Sequence, residues 1–166
     1  MAQITFRDAP VNTSGDLPAM GAAAPSFTLT GGDLSPVTSE GLAGRTVVLN
    51  IFPSVDTGVC AASVRTFNER AAGLDNTTVV CASLDLPFAG ARFCGAEGLE
   101  NVTVGSLFRN REFLDDYGVE MVDGPLAGLT ARAVVVIAPD GTVAHSQLVP
   151  EITSEPDYDA ALAACS

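Results

Sequence analysis

Apolar and polar residues alternate in two short segments near the start of the chain, 4–7 and 27–30. A period of two is typical of a strand with one buried face, and a Gly-Gly pair ends the second segment. The segment 46–52 is instead a continuous apolar run, which favours a central strand covered on both faces. Segment 77–84 is predicted as the next buried strand.

Helical spacing replaces this pattern between the two buried strands. Residues 63–74 place their apolar side chains on one stripe, formed by Val64, Phe67, Ala71 and Leu74. A strand, a helix and a second strand in this order predict a parallel pair joined by a right-handed crossover. Cys60 is therefore expected at the head of an amphipathic helix.

The rest of the chain is predicted to form shorter elements. They are a helix at 88–99 weakened by three glycines, a strand at 102–104, a helix at 111–117, a hairpin of 132–137 and 142–148, and a closing helix at 156–165. This order is similar to the thioredoxin-like arrangement, which implies an α/β fold with a central mixed sheet flanked by helices. No repeat or linker divides the chain, so we predict a single domain, 1–166.

Charge and hydropathy argue against two classes of partner. The chain has 20 acidic and eight basic residues, all eight of them arginine, for a net charge of −12. Nucleic-acid binding needs a basic surface, which this composition does not supply. No apolar run approaches the roughly 20 residues of a membrane helix, and the N-terminus lacks the pattern of a secretory signal. We therefore predict a cytoplasmic protein with no membrane anchor.

Four cysteines are spread along the chain, at Cys60, Cys81, Cys94 and Cys165. They include no C-x-x-C pair, and the single histidine, His145, offers no zinc-like cluster, so we predict neither a metal site nor a disulfide framework. In a cytosolic protein, well-separated cysteines are free, catalytic or redox-cycling.

The segment 53–60, which follows the first buried strand, gives Cys60 an unusual setting. At a helix start the sulfur lies near unpaired backbone N–H groups and the positive end of the helix dipole, which favour the thiolate. Thr57 lies three residues earlier, so its hydroxyl can turn back toward the sulfur, and Pro53 suits a rigid wall beside a reactive atom. These residues indicate a nucleophile, and the alternative is a cysteine that only packs in the core.

The spacing Pro53-x-x-x-Thr57-x-x-Cys60 resembles the signature of the peroxiredoxins. Longer blocks resemble the thiol peroxidase subfamily, whose members are atypical two-cysteine peroxiredoxins, and they extend over nearly the whole chain. These blocks are 50–65, 85–89, 92–99, 108–110, 124–137 and 146–149. The resemblance implies a thioredoxin-like fold with an N-terminal β-hairpin.

The resemblance also implies a role for each site residue. Cys60 would attack a hydroperoxide and become a sulfenic acid, while Pro53, Thr57 and nearby backbone N–H groups hold the substrate. Arg132 would stabilise the thiolate and the transition state; the alternative is a solvated arginine at the end of a strand. Cys94 would be the resolving cysteine that forms an intrachain disulfide with Cys60, and its alternative is a packed helix residue.

The implied activity is thiol-dependent reduction of hydrogen peroxide and organic hydroperoxides, without a cofactor, by a homodimer that thioredoxin recycles. Cys81 is expected to pack in the core and His145 to be structural. Cys165 is expected to pack on the closing helix, and its alternatives are a free thiol or a cysteine that cross-links under oxidation. A disulfide oxidoreductase on the same fold is the rival enzyme, which the absence of a C-x-x-C pair disfavours. A peroxide-sensing redox switch or holdase without efficient turnover is the alternative outside enzymes.

Overall fold

The computed structural model describes residues 1–165; Ser166, the last residue of the predicted domain, lies outside them. The strands are β1 (Gln3–Phe6), β2 (Ala9–Asn12), β3 (Thr28–Thr30), β4 (Pro36–Thr38), β5 (Thr46–Ile51), β6 (Thr77–Ser83), β7 (Val102–Ser106), β8 (Ala133–Ile137) and β9 (Val143–Leu148). The helices are α1 (Gly58–Ala71), α2 (Pro87–Glu97), α3 (Glu112–Tyr117) and α4 (Tyr158–Ala163).

Seven strands form one mixed sheet in the order β4-β3-β7-β6-β5-β8-β9, and β1 and β2 form a separate hairpin. The pair β5 and β6 is parallel, with Thr46 opposite Thr77, and β7 continues the parallel part beyond β6. On the other side of β5, strands β8 and β9 are antiparallel. The predicted mixed sheet, parallel pair, late hairpin and N-terminal hairpin are therefore confirmed.

Strand β5 lies at the centre of the core, and every residue in it is buried. Successive side chains of a strand point to opposite faces, so Leu49 packs in the cluster that contains α3 and Val48 packs in the cluster that contains α1. From α1, Val64 and Phe67 enter this second cluster. Burial of each such side chain contributes about 1.5–3 kcal/mol, so the packing fixes α1 and its first turn against the sheet.

Helix α1 and strand β4 differ most from the sequence prediction, and helix α4 is shorter than predicted at both ends. Helix α1 begins at Gly58 rather than at residue 63, so Cys60 is its third residue. The short strand β4 was not expected, since three residues that begin with a proline carry no recognisable period. Helix α4 ends at Ala163, so Cys165 lies just beyond it.

The helices in residues 1–165 are all too short or too polar to cross a lipid bilayer.

Candidate active site

The first turn of α1 buries Cys60 completely, with no exposed surface. Thr57 is the N-cap residue in extended geometry, and the first helical bond runs from the Ala61 N–H to the Thr57 carbonyl at 2.9 Å. The N–H groups of residues 58–60 precede that bond and have no partner within the helix. They stay available as donors beside the sulfur, and the helix dipole adds positive potential there.

Arg132 brings a cation to the same sulfur. It immediately precedes β8, is only 2% exposed, and its Nη2 donates to Cys60 Sγ at 3.3 Å. Its Nε donates to the Ile152 carbonyl at 2.9 Å, while Nη1 has no hydrogen-bond partner among the described residues. Strand pairing explains the placement, because Ala133 lies opposite Ile51, at the end of the strand that leads to Cys60. The alternative of a solvated strand-end arginine is therefore wrong.

A cavity of about 250 Å³ lies beside the head of α1, and Pro53, Thr57 and Arg132 all line it. The remaining lining is mostly apolar and includes Leu126 and Leu129. Three of the predicted site residues thus line one cavity, while the buried Cys60 does not line it and is linked to it through Arg132. A small molecule with one polar end fits such a space.

The hydroxyl of Thr57 is oriented differently from the sequence expectation. It donates to the Ser54 carbonyl at 3.0 Å, and the Thr57 N–H donates to the same oxygen at 3.2 Å. This pair of bonds closes a tight turn before α1, so the hydroxyl proton is committed to the backbone rather than to sulfur. The hydroxyl oxygen keeps lone pairs that can accept a hydrogen bond.

Cys94 lies in α2 and is half-buried, and burial raises the pKa of its thiol. It lines a narrow cavity with Cys81, Val55 and Val64, whereas the Cys60 sulfur contacts Arg132. All four cysteines are free thiols in this structure. The fold therefore places the two predicted redox cysteines on neighbouring helices without joining them.

Two ion pairs join the α2 segment to the α1 segment. Arg65 of α1 bonds both carboxylate oxygens of Glu97, at 2.8 and 3.0 Å. Arg92 of α2 lies 3.4 Å from Asp56, in the loop before α1. Both pairs are exposed to solvent, where salt screens them.

The other sulfur and imidazole groups occupy structural positions. Cys81 is buried in β6, as expected, and burial raises the pKa of its thiol to about 12. Cys165 is half-buried and its Sγ donates to the Ala161 carbonyl at 3.5 Å. His145 is partly buried in β9, and desolvation lowers its pKa. Within residues 1–165, no cluster of His, Cys, Asp and Glu side chains could hold a metal ion.

Asp85 is the residue that the sequence reasoning missed. Its carboxylate accepts hydrogen bonds from Ser54 Oγ at 2.7 Å and from the Val55 N–H at 2.9 Å, so it contacts the loop that leads to Cys60. The available signal is its position two residues after the buried strand β6, because neighbouring parallel strands end at the same edge of a sheet.

Comparison with known proteins gives a consistent result. The sequence profile of the Redoxin family matches residues 19–162. Thiol peroxidases from Mycobacterium tuberculosis (strain ATCC 25618 / H37Rv) and Mycobacterium bovis (strain ATCC BAA-935 / AF2122/97) are each 63% identical over 164 residues. The aligned region covers 99% of this chain and 98% of theirs.

Solved structures agree with the sequence comparison. A peroxiredoxin-like protein from Aquifex aeolicus is 40% identical, with a TM-score of 0.90 over 96% of this chain and 92% of its own. The thiol peroxidase from Chromobacterium violaceum shares the fold, with a TM-score of 0.88 at 23% identity over 96% of this chain and 93% of its own. The family profile, the full-length identity and the shared fold show that the chain belongs to the redoxin family, within its thiol peroxidases.

Proposed function

We propose that this thiol peroxidase reduces hydrogen peroxide and organic hydroperoxides with Cys60 as its nucleophile. One observation carries the assignment of Cys60: the buried Arg132 donates to its sulfur at 3.3 Å, at the head of a helix beside a cavity. A fixed cation and unpaired N–H groups stabilise a thiolate, the form of cysteine that attacks electrophiles.

In the first step, the Cys60 thiolate attacks one peroxide oxygen and the O–O bond breaks. The sulfur becomes a sulfenic acid, and the departing oxygen takes a proton and leaves as water or an alcohol. Negative charge grows on that oxygen in the transition state, so donors held in place there lower the barrier. The unpartnered Nη1 of Arg132 and the N–H groups of residues 58–60 are such donors, and Thr57 Oγ1 can accept a hydrogen bond from the hydroperoxide O–H.

In the second step, the Cys94 thiolate attacks the sulfenic sulfur and expels hydroxide, which forms a Cys60–Cys94 disulfide. The glycines in α2 support Cys94 for this role, since Gly90 and Gly95 weaken the helix that must open. Cys81 is unsuited, because it is held in a fully paired central strand. A dithiol reductant, proposed to be thioredoxin, then restores both thiols by exchange.

The proposed cycle runs in the cytoplasm, where the thiol pool keeps cysteines reduced, and it needs no bound cofactor. We also propose a homodimer. Its support is a group of exposed apolar side chains near the start of α2, where Leu86 is 54% and Phe88 is 62% exposed. Phe108, 37% exposed, lies two residues after Ser106, whose hydroxyl donates to the Asp85 carbonyl next to Leu86.

The test is peroxide consumption coupled to thioredoxin and its reductase. Cys60→Ser should show no turnover, because a serine hydroxyl does not ionise near neutral pH. Cys94→Ser should consume about one equivalent of peroxide and then stop, and Cys81→Ser is the matched control that should keep cycling. Turnover by Cys60→Ser would refute the proposal, and a wild-type protein that is oxidised only once with every dithiol reductant would favour the redox-switch alternative.

A further inference from the structure

The carboxylate of Asp85 connects the two segments that carry the proposed redox cysteines. Asp85 lies two residues before the start of α2, which carries Cys94. Its Oδ1 accepts from Ser54 Oγ at 2.7 Å, and its Oδ2 accepts from the Val55 N–H at 2.9 Å. Both donors belong to the loop 53–57 that leads into α1 and Cys60.

Asp85 itself is fixed to the sheet. Its Oδ2 also accepts from Ser83 Oγ at 2.6 Å, and the Asp85 carbonyl accepts from Ser106 Oγ. Ser83 and Ser106 lie opposite each other at the ends of β6 and β7, and both are buried. The carboxylate is thus a rigid support, and the loop 53–57 is the part that it holds.

The held loop and the first turn of α1 behave as one unit. The Ser54 carbonyl accepts from both the N–H and the hydroxyl of Thr57, and Thr57 is the N-cap of the helix. Displacement of residues 54 and 55 would therefore displace the helix start and Cys60. Cys94 lies on α2 in a cavity that Cys81 shares and Cys60 does not line, and no disulfide joins Cys60 to Cys94.

We propose that Asp85 is a positioning residue that holds the loop 53–57 in the peroxide-reactive conformation and must release it before the disulfide can form. This inference rests on the proposed function. Its consequence is that the hydrogen bonds to Asp85 act in opposite directions on the two chemical steps. They speed the attack of Cys60 on peroxide and slow the attack of Cys94 on the sulfenic acid.

Asp85→Asn tests this division. Three donors face the carboxylate, from Ser54, Val55 and Ser83, and an amide replaces one of its two acceptor oxygens with a donor. Rapid-quench mass spectrometry counts the thiol, sulfenic and disulfide forms at each time point. We expect peroxide attack to slow by about tenfold, the effect of one lost charge-assisted hydrogen bond. Disulfide formation should speed up by about twofold or more, because the released conformation is more populated.

Two further variants and a control complete the experiment. Ser54→Ala removes one donor and leaves the Asp85 carboxylate in place. It should slow peroxide attack and speed disulfide formation, as in Asp85→Asn but by smaller factors. If Asp85→Asn does not fold, Ser54→Ala tests the inference alone. Asp85→Glu keeps the charge and should restore part of the wild-type rates. The control is Asp140→Asn. Like Asp85, Asp140 holds a loop by accepting from a backbone N–H and a hydroxyl, here both of Thr142, but its turn is remote from Cys60.

A change of both rates in the same direction in Asp85→Asn and Ser54→Ala, or no change in either, would overturn the inference. Failure of the proposed function is a separate outcome. It would show as a wild-type protein in which peroxide produces neither a sulfenic acid nor a disulfide at Cys60.

Discussion

Replacement of Arg132 with lysine keeps the charge at the site but removes the geometry that reaches the sulfur. In the wild type, Nε holds the Ile152 carbonyl at 2.9 Å while Nη2 reaches Cys60 Sγ at 3.3 Å. A single ammonium group cannot span both partners, because lysine lacks the planar fork of arginine. We expect the lysine to keep the bond to the buried carbonyl and to lose the bond to the sulfur.

The lost bond is charge-assisted and is worth about 1.5–3 kcal/mol. At about 1.4 kcal/mol for each factor of ten in rate, this loss of transition-state stabilisation corresponds to about 10- to 150-fold. We therefore expect Arg132→Lys to reduce peroxide about 10- to 150-fold more slowly than the wild type. The measurement is the second-order rate of Cys60 oxidation by hydrogen peroxide in a rapid-quench experiment.

Arg45→Lys is the matched control, because the Arg45 side chain is exposed and donates to Thr78 Oγ1 at 2.8 Å at the far end of β5 from Cys60. It should leave the rate unchanged. A thermal unfolding scan of both variants separates a local effect from a loss of folded protein. An Arg132→Lys rate within about twofold of the wild type, in a fully folded protein, would refute the role of the guanidinium.

Three further predictions concern the rest of the molecule. Cys81, with its pKa raised to about 12 by burial, should resist alkylation in the native protein at pH 8 and react only after unfolding; labelling as fast as that of Cys94 would contradict this. Phe88→Glu should shift the sedimentation mass of the proposed homodimer to that of a monomer, while Met20→Glu, at a similarly exposed residue, should not; an unchanged dimer mass for Phe88→Glu would exclude this surface from the proposed interface. Hydrogen bonds from two threonine hydroxyls and two backbone N–H groups lower the pKa of Glu151 to about 2 from 4.5. The Glu151 carboxylate therefore contributes fully to stability above pH 4.5, and this contribution is lost as the pH falls toward 2. In urea unfolding, Glu151→Gln should lose less stability than the wild type over this pH range. A pH profile identical to that of the wild type would contradict the prediction.

The central part of the fold could be predicted from sequence because its elements carry strong local signals. Strand β5 is a continuous apolar run that is buried along its whole length. The apolar stripe on α1 predicts the helix itself. Because residues 58–62 lack the apolar period, the predicted start at residue 63 is five residues later than the observed start at Gly58. Strand β4 carries no signal of its own, because its three residues are defined by pairing with β3.

The site required tertiary information. The sequence placed Cys60 at a helix start and gave Pro53 and Thr57 their positions, but the Arg132 contact joins residues 72 positions apart and was implied only by resemblance. The position of Asp85 after β6 places it at the edge of the sheet where β5 ends, but its hydrogen bonds join residues 30 and 31 positions apart and leave no local pattern. The sequence also does not show that the Thr57 hydroxyl donates to the Ser54 carbonyl, a bond that depends on the turn before α1.

The most direct test of the central claim is peptide mapping after addition of one equivalent of hydrogen peroxide to the reduced protein. The chain has no lysine, so trypsin cuts only at arginine and leaves the four cysteines on separate peptides, 46–65, 71–92, 93–109 and 133–166. The account predicts that peptides 46–65 and 93–109 become disulfide-linked through Cys60 and Cys94, while Cys81 and Cys165 stay free. A link that involves Cys81 or Cys165, or oxidation that leaves Cys60 a thiol, would contradict it.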